Sequence, residues 1–162
     1  MADDYEDLTD CSLSPELEQR LLHLQRECVF MWSTSSGDPF GVIMSCLPKD
    51  GRFWLTAAER RKRITAIRRR PRAALCITST GTKLGPGKTI TYKGTCTVHT
   101  DQATKDWFYP EFSRWLHRDE AVAAEFQKFL DSPHRVVIEF VPDEQLSFDG
   151  ALMMQRSPDV QW

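Results

Sequence analysis

Three short β-forming segments, joined by turns too short to cross a sheet, constrain this chain most. Val29-Phe30-Met31-Trp32-Ser33-Thr34 is rich in β-branched and aromatic residues. Ser35-Ser36-Gly37-Asp38-Pro39 is turn chemistry, and Gly41-Val42-Ile43-Met44-Ser45-Cys46 reads as a second strand. Pro48-Lys49-Asp50-Gly51 carries the Asp-Gly hairpin signal ahead of a third strand, Arg52-Phe53-Trp54-Leu55-Thr56. Links this short make the three strands antiparallel neighbours, because a parallel crossover needs a dozen residues or more.

The pattern continues downstream. A helix is expected from Ala58 to Arg70, ended by Pro71, and Arg72 to Thr78 reads as a fourth strand. A glycine-rich loop, Thr80 to Lys88, leads to a fifth strand from Thr89 to His99, in which Gly94 marks a bulge or bend. Asp101 caps a helix carrying Ala103, Trp107, Phe108, Phe112 and Trp115, which Pro110 kinks or divides. A further amphipathic helix spans Ala121 to Leu130. Val136 to Val141 is a sixth strand, and Gln145 to Phe148 a seventh or its continuation. Ahead of the strands, Ser14-Pro15-Glu16 is a helix start, with Leu17, Leu21, Leu24 and Cys28 spaced along one face. Residues 1–13 read as an acidic flexible tail and 14–162 as one domain. Six or seven antiparallel strands need their edges hidden. The expected fold class is therefore mainly β (α+β), a small closed or nearly closed barrel with peripheral helices.

Composition narrows the function. The net charge of −2 lacks the basic surplus that nucleic-acid binding needs. No apolar run approaches the roughly 20 residues of a membrane span, and the acidic opening is not a signal peptide. The five cysteines include no CxxC pair, so reduced thiols in the cytoplasm are expected. The histidines have no metal-ligand spacing, so no metal is expected. There is no GxSxG and no histidine beside a nucleophile motif. The paired acids Asp3-Asp4, Asp119-Glu120 and Asp143-Glu144 lie in surface contexts. Any catalytic chemistry is therefore expected from a bound cofactor.

The richest segment for binding runs from Phe53 to Ile77. A strand ends at Thr56, and the following helix opens with Arg60, Arg61, Lys62 and Arg63. Cations at a helix start oppose the dipole, and a bound phosphate reverses that balance. The bland alternative is a solvated basic helix face. Arg68-Arg69-Arg70 and Arg72 flank the helix end, where they suit the dipole, and read as a surface feature. The glycines Gly81, Gly85 and Gly87 are not a Walker motif and read as a hairpin loop able to cover a ligand. Trp162 is expected to be exposed or to pack over a partner or ligand.

In this order and spacing, the chain resembles the pyridoxamine 5'-phosphate oxidase-like superfamily of flavin-binding split β-barrels, and within it the actinobacterial flavin/deazaflavin oxidoreductases. The resemblance covers about Glu27 to Gly150. It rests on Leu55-Thr56, Arg61-Lys62-Arg63, Arg70-Pro71-Arg72-Ala73-Ala74-Leu75 and the ending Val136 to Gly150. It implies a homodimeric split barrel with two cofactor sites at the interface. The implied activity is that of an oxidoreductase, using FMN or coenzyme F420 to move a hydride to or from a small organic substrate. Arg63 occupies the place of the family's phosphate ligand, with Arg61, Lys62 and Thr56 around it. The ring would lie along the backbone of Val42, Ile43, Met44 and Ser45, with Trp54, Leu55, Thr56 and Ala57 beside it. The partner subunit would contribute Thr89 or Thr91. The longer anionic tail of coenzyme F420 would suit a groove extended by Arg60, Lys83 and Lys88. The chain departs from the oxidase proper at Gly41 and Cys46, where that enzyme has Arg and Lys. Gln155-Arg156-Ser157-Pro158 also does not match its substrate-binding motif, so pyridoxamine phosphate is not the expected substrate. The alternative reading is a non-catalytic carrier, storage or sensor protein for the same cofactors.

Overall fold

A computed structural model describes residues 7–155. The chain order is α1 (Pro15–Leu24), β1 (Glu27–Ser33), β2 (Pro39–Ser45), β3 (Leu47–Lys49), β4 (Arg52–Ala58), α2 (Lys62–Arg69), β5 (Arg72–Thr78), β6 (Lys88–His99), α3 (Gln102–Leu116), α4 (Glu120–Leu130), β7 (Arg135–Asp149) and α5 (Gly150–Gln155). The strands form one antiparallel sheet in the order β2-β1-β5-β6-β7-β4-β3. β2 and β3 stand at opposite ends of that order, yet only Cys46 separates them in the chain. The sheet therefore curls until its ends approach, giving the seven-stranded antiparallel split barrel with peripheral helices.

Local chemistry explains most element boundaries. Ser14 caps α1, its Oγ accepting from the Leu17 N–H at 3.3 Å, with Pro15 in the first turn. Cys28, expected on that helix face, instead lies in β1, because the helix stops at Leu24. Asp50 (φ 53°) and Gly51 (φ 72°) supply the two left-handed residues of the β3–β4 hairpin. The basic helix starts at Lys62 rather than Ala58, because Ala57 and Ala58 continue the β4 ladder opposite Val136 and Arg135. Pro110 does not divide α3, which runs unbroken for 15 residues. Gln145–Phe148 is a continuation, part of one strand of 15 residues. The expected irregularity at Gly94 is a register shift: Lys93 faces Glu144 while Gly94 faces Pro142, leaving Asp143 as the extra residue.

Two cores hold these elements. Phe30, Leu55, Leu75, Ile77, Ile90 and Phe140 fill the barrel, and Ile64 and Ile67 of α2 join them. On the outer face, Phe108, Phe112 and Leu130 of α3 and α4 pack on Val137 with Trp54 and Trp107. β7 is thus covered on both faces, which is why Val136 to Phe140 are buried without alternation. Within the expected tail, Cys11 and Leu13 are buried. The Asp149 N–H donates to the Cys11 carbonyl at 2.6 Å, so the chain is tied down from Cys11 onward. All five cysteines are free thiols, and all but Cys76 are buried. Among the described residues no helix is long and apolar enough to cross a membrane. Trp162 lies outside the described residues.

Candidate cofactor site

The barrel parts between β2 and the end of β4. β3 pairs with β4 through Leu47↔Trp54, Pro48↔Phe53 and Lys49↔Arg52. Carried through Cys46, that register would set Ser45 opposite Thr56 and Met44 opposite Ala57. Among the described residues no such pairing forms: β2 pairs only with β1, and β4 beyond Trp54 pairs only with β7. Cys46 turns its backbone elsewhere. Its N–H donates to the Arg26 carbonyl at 3.0 Å, and its carbonyl accepts from Trp115 Nε1 at 2.8 Å. The result is a wedge with an unpaired backbone edge on each wall, apex at Cys46. Val42, Ile43, Met44 and Ser45 form one wall; Leu55, Thr56 and Ala57 form the other.

Side chains on these walls alternate. Met44, Leu55 and Ala57 point into the barrel core, while Ile43 is 70% exposed. Trp54 sits under α3, edge-on to Trp107 at 4.7 Å between ring centroids. The Thr56 hydroxyl donates to the Val136 carbonyl at 2.9 Å. Its one donor is therefore engaged in the sheet rather than free for an anion.

Past β4, the link to α2 is pinned by the Glu59 N–H on the His134 carbonyl at 2.7 Å. Arg61 stands at the N-cap of α2 without any side-chain cap, and the first turn holds no acid. Helix N–H donors are thus left without a side-chain partner, and the dipole meets only cations. Arg63 is half-buried, its Nε has no partner among the described residues, and burial and the neighbouring Arg61 both lower its pKa. A half-buried guanidinium whose Nε lacks a partner among the described residues, beside an uncapped helix start, fits a phosphate group. Arg61 and Lys62 are exposed around it.

Thr91 lies level with Ile43 of the β2 wall, through Cys76 and Val29, but three strands and about 14 Å away, and it is farther still from the β4 wall. His99 of β6 lies level with Thr56 through Val137, and Thr91 is eight residues back along β6. At about 3.3 Å per residue that is roughly 26 Å. Lys88, expected to extend a groove, is instead paired with buried Asp149 at 3.2 Å.

Three residues near the wedge were not singled out from sequence. Tyr109 of α3 is buried with a hydroxyl that lacks a hydrogen-bond partner among the described residues. Burial raises its pKa, opposed by the nearby Arg135 charge. The Arg135 Nε is likewise without a partner. His117 lines a cleft of about 510 Å³ together with Ser45, Arg26 and Phe126, which the loop residues Gly81 and Thr82 also border. No spacing in the sequence links these positions to the basic helix.

The chain matches the family model described as pyridoxamine 5'-phosphate oxidase over residues 15–147. No curated protein matches it. Among solved structures it is similar to a conserved hypothetical protein from Mycobacterium tuberculosis, at 14% identity and a TM-score of 0.74, covering 94% of this chain and 92% of that one. It is also similar to a protein named F420 reductase, at 16% identity and a TM-score of 0.60, covering 79% of this chain and 94% of that one. A third is an FAD-binding protein from Mesorhizobium loti, at 17% identity and a TM-score of 0.59, covering 84% and 93% respectively. At these identities the structural likeness is one of fold. The family model spans most of the chain and the curled sheet is the family's split barrel, so this protein belongs to the pyridoxamine 5'-phosphate oxidase-like family.

Proposed function

We propose that this protein is a cytoplasmic homodimer that binds FMN or coenzyme F420 in the wedge between β2 and β4 and acts as an oxidoreductase on a small organic substrate. The observation that carries this reading is Arg63, half-buried with an unpartnered Nε at an uncapped, acid-free helix start. Arg61, Lys62 and Arg63 would hold the phosphate. The unpaired backbone edges of Val42–Ser45 and Leu55–Ala57 would meet the polar rim of the ring. When bound, such a cofactor supplies hydride transfer. The chain orients the ring, and the cleft bordered by Ser45 and His117 offers room for a small substrate beside it.

Two features support the dimer. Thr89 and Thr91 stand about three strands from the β2 wall of their own chain, so a second copy would be the one to bring them against the ring. Ile43 on β2, and Val141 and Leu146 on β7, leave apolar side chains exposed on the outside of the sheet.

Absorbance and fluorescence titration of the purified protein with FMN and, separately, coenzyme F420 tests the reading. Saturable binding of one cofactor per chain is expected; binding of neither removes it. A non-catalytic carrier is the second reading, favoured by the lack of any titratable side chain among Val42–Ser45 and Trp54–Ala57. Turnover of the reduced cofactor with an added acceptor separates the two.

A further inference from the structure

Eight basic residues lie between Arg60 and Arg72, and two of them have carboxylate partners. Arg68 pairs with Glu59 at 2.7 Å and Arg72 with Asp143. Arg60, Arg61, Lys62, Arg63, Arg69 and Arg70 have none among the described residues. Four of these six line one cleft of about 310 Å³ between α2 and the β1–β2 turn: Arg60, Lys62, Arg69 and Arg70, together with Trp32 and Thr65. Among the described residues no carboxylate lines it. Lys62, Thr65, Ala66 and Arg69 follow helical spacing and form a single face of α2, distinct from Arg63. Arg70 reaches across to the Ser33 carbonyl at 3.4 Å, and its buried Nε has no partner. Arg69 suits the negative end of the helix dipole. Arg60 and Lys62 oppose the positive end, and no carboxylate among the described residues pairs with them.

We propose that this cleft is a second anion-binding site, taking phosphate or carboxylate groups along the outer face of α2. It deepens the cofactor reading, because Lys62 also borders the proposed phosphate position. From Lys62 to Arg69 the helix advances roughly 10 Å, so the site takes an anionic group about that far from the first. The second group belongs either to a long anionic tail on the cofactor or to a separate ligand. A ligand with only one phosphate leaves the cleft empty.

The test is calorimetric titration of the full chain with inorganic tripolyphosphate at low salt. One ion is expected to bind per chain, with affinity falling as salt rises. Arg69→Gln and, separately, Arg60→Gln should weaken it roughly ten- to hundredfold, as loss of a charge-assisted contact does. FMN binding should not change in either variant. Both arginines are exposed, and circular dichroism of the two variants confirms that each is folded. No binding, or binding insensitive to both variants and lost only in Arg63→Ala, overturns the inference. Tripolyphosphate binding without either flavin supports this site and removes the cofactor reading instead. If Arg69→Gln weakens coenzyme F420 but not FMN, the second anion is the cofactor's own tail. If tripolyphosphate still binds the flavin-loaded protein and Arg69→Gln leaves F420 untouched, it belongs to a separate ligand.

Discussion

Thr56 donates its hydroxyl hydrogen to the main-chain carbonyl of Val136, 2.9 Å away, across the β4–β7 pair. A phosphate offers only acceptors, so a hydroxyl already donating to the sheet adds little to its binding. Thr56→Val should lower stability by about 1 kcal/mol, the net value of one hydrogen bond, and leave cofactor affinity unchanged. Urea unfolding and a cofactor titration on the same variant check both halves. A tenfold loss of affinity at unchanged stability would return Thr56 to the phosphate site.

Arg63 is expected to behave in the opposite way. Burial and Arg61 both disfavour its charge, so its removal should leave the stability of the cofactor-free protein unchanged or higher. The same Arg63→Ala change should weaken cofactor binding by about 1.5–3 kcal/mol, the range for a hydrogen bond to a charged group. An unchanged dissociation constant would refute the assignment.

Trp115 holds the point where the barrel parts. Its Nε1 donates to the Cys46 carbonyl at 2.8 Å, and the Arg26 guanidinium stacks 3.4 Å from its ring centroid. Trp115→Phe keeps an aromatic ring in place but removes the donor, and orphans that carbonyl beside buried Cys46, at a cost of about 1–3 kcal/mol. Thermal unfolding measures this. An unaltered midpoint would mean that the corner is held by the Cys46 N–H alone.

Gly94 has no room for a side chain. A Cβ there would stand 2.7 Å from Phe140 Cζ and closer still to the Val141 carbonyl oxygen, which is backbone and cannot move aside. Gly94→Ala should destabilise by about 1–3 kcal/mol through overpacking. A denaturation midpoint equal to the parent's would show that the ladder slips to accept it.

The Arg72–Asp143 pair sets an acid limb. The hydrogen bond from Arg72 is the leading cause holding the Asp143 carboxyl below its ordinary value of 3.8. A carboxyl depressed by folding stabilises above the unfolded value, and that contribution fades as pH falls through the folded one. The stability gap between the parent and Asp143→Asn should therefore be level near neutrality and close below about pH 3.8. Urea midpoints from pH 7 downward measure it; a gap that widens in acid would contradict the pair.

Much of the fold was legible because its signals are local. Asp50-Gly51 needs left-handed backbone whatever surrounds it, and Ser14 and Asp101 cap the helices that begin beside them. Local signals point the wrong way at the start of α2. Ala57 and Ala58 favour helix by propensity, but pairing with Val136 and Arg135 extends the strand. Leu47–Lys49 was not recognised as a strand because its partner across the hairpin, rather than its composition, makes it one.

Local sequence accounts for the strand-turn rhythm, the caps at Ser14 and Asp101, the irregularity at Gly94 and the unbalanced basic charge around Arg63. Each depends on residues close together in the chain. Tertiary structure alone decided that β2 and β3 end up at opposite ends of a curled sheet, and that Thr56 gives its hydroxyl to Val136. It also decided that Lys88 is neutralised by Asp149, and that Arg60 and Lys62 share a cleft with Arg69 and Arg70 while Arg68 and Arg72 find carboxylates. The reason is physical: a hydrogen bond or ion pair is settled by which groups packing brings within about 3 Å, and sequence spacing does not encode that distance between separate strands.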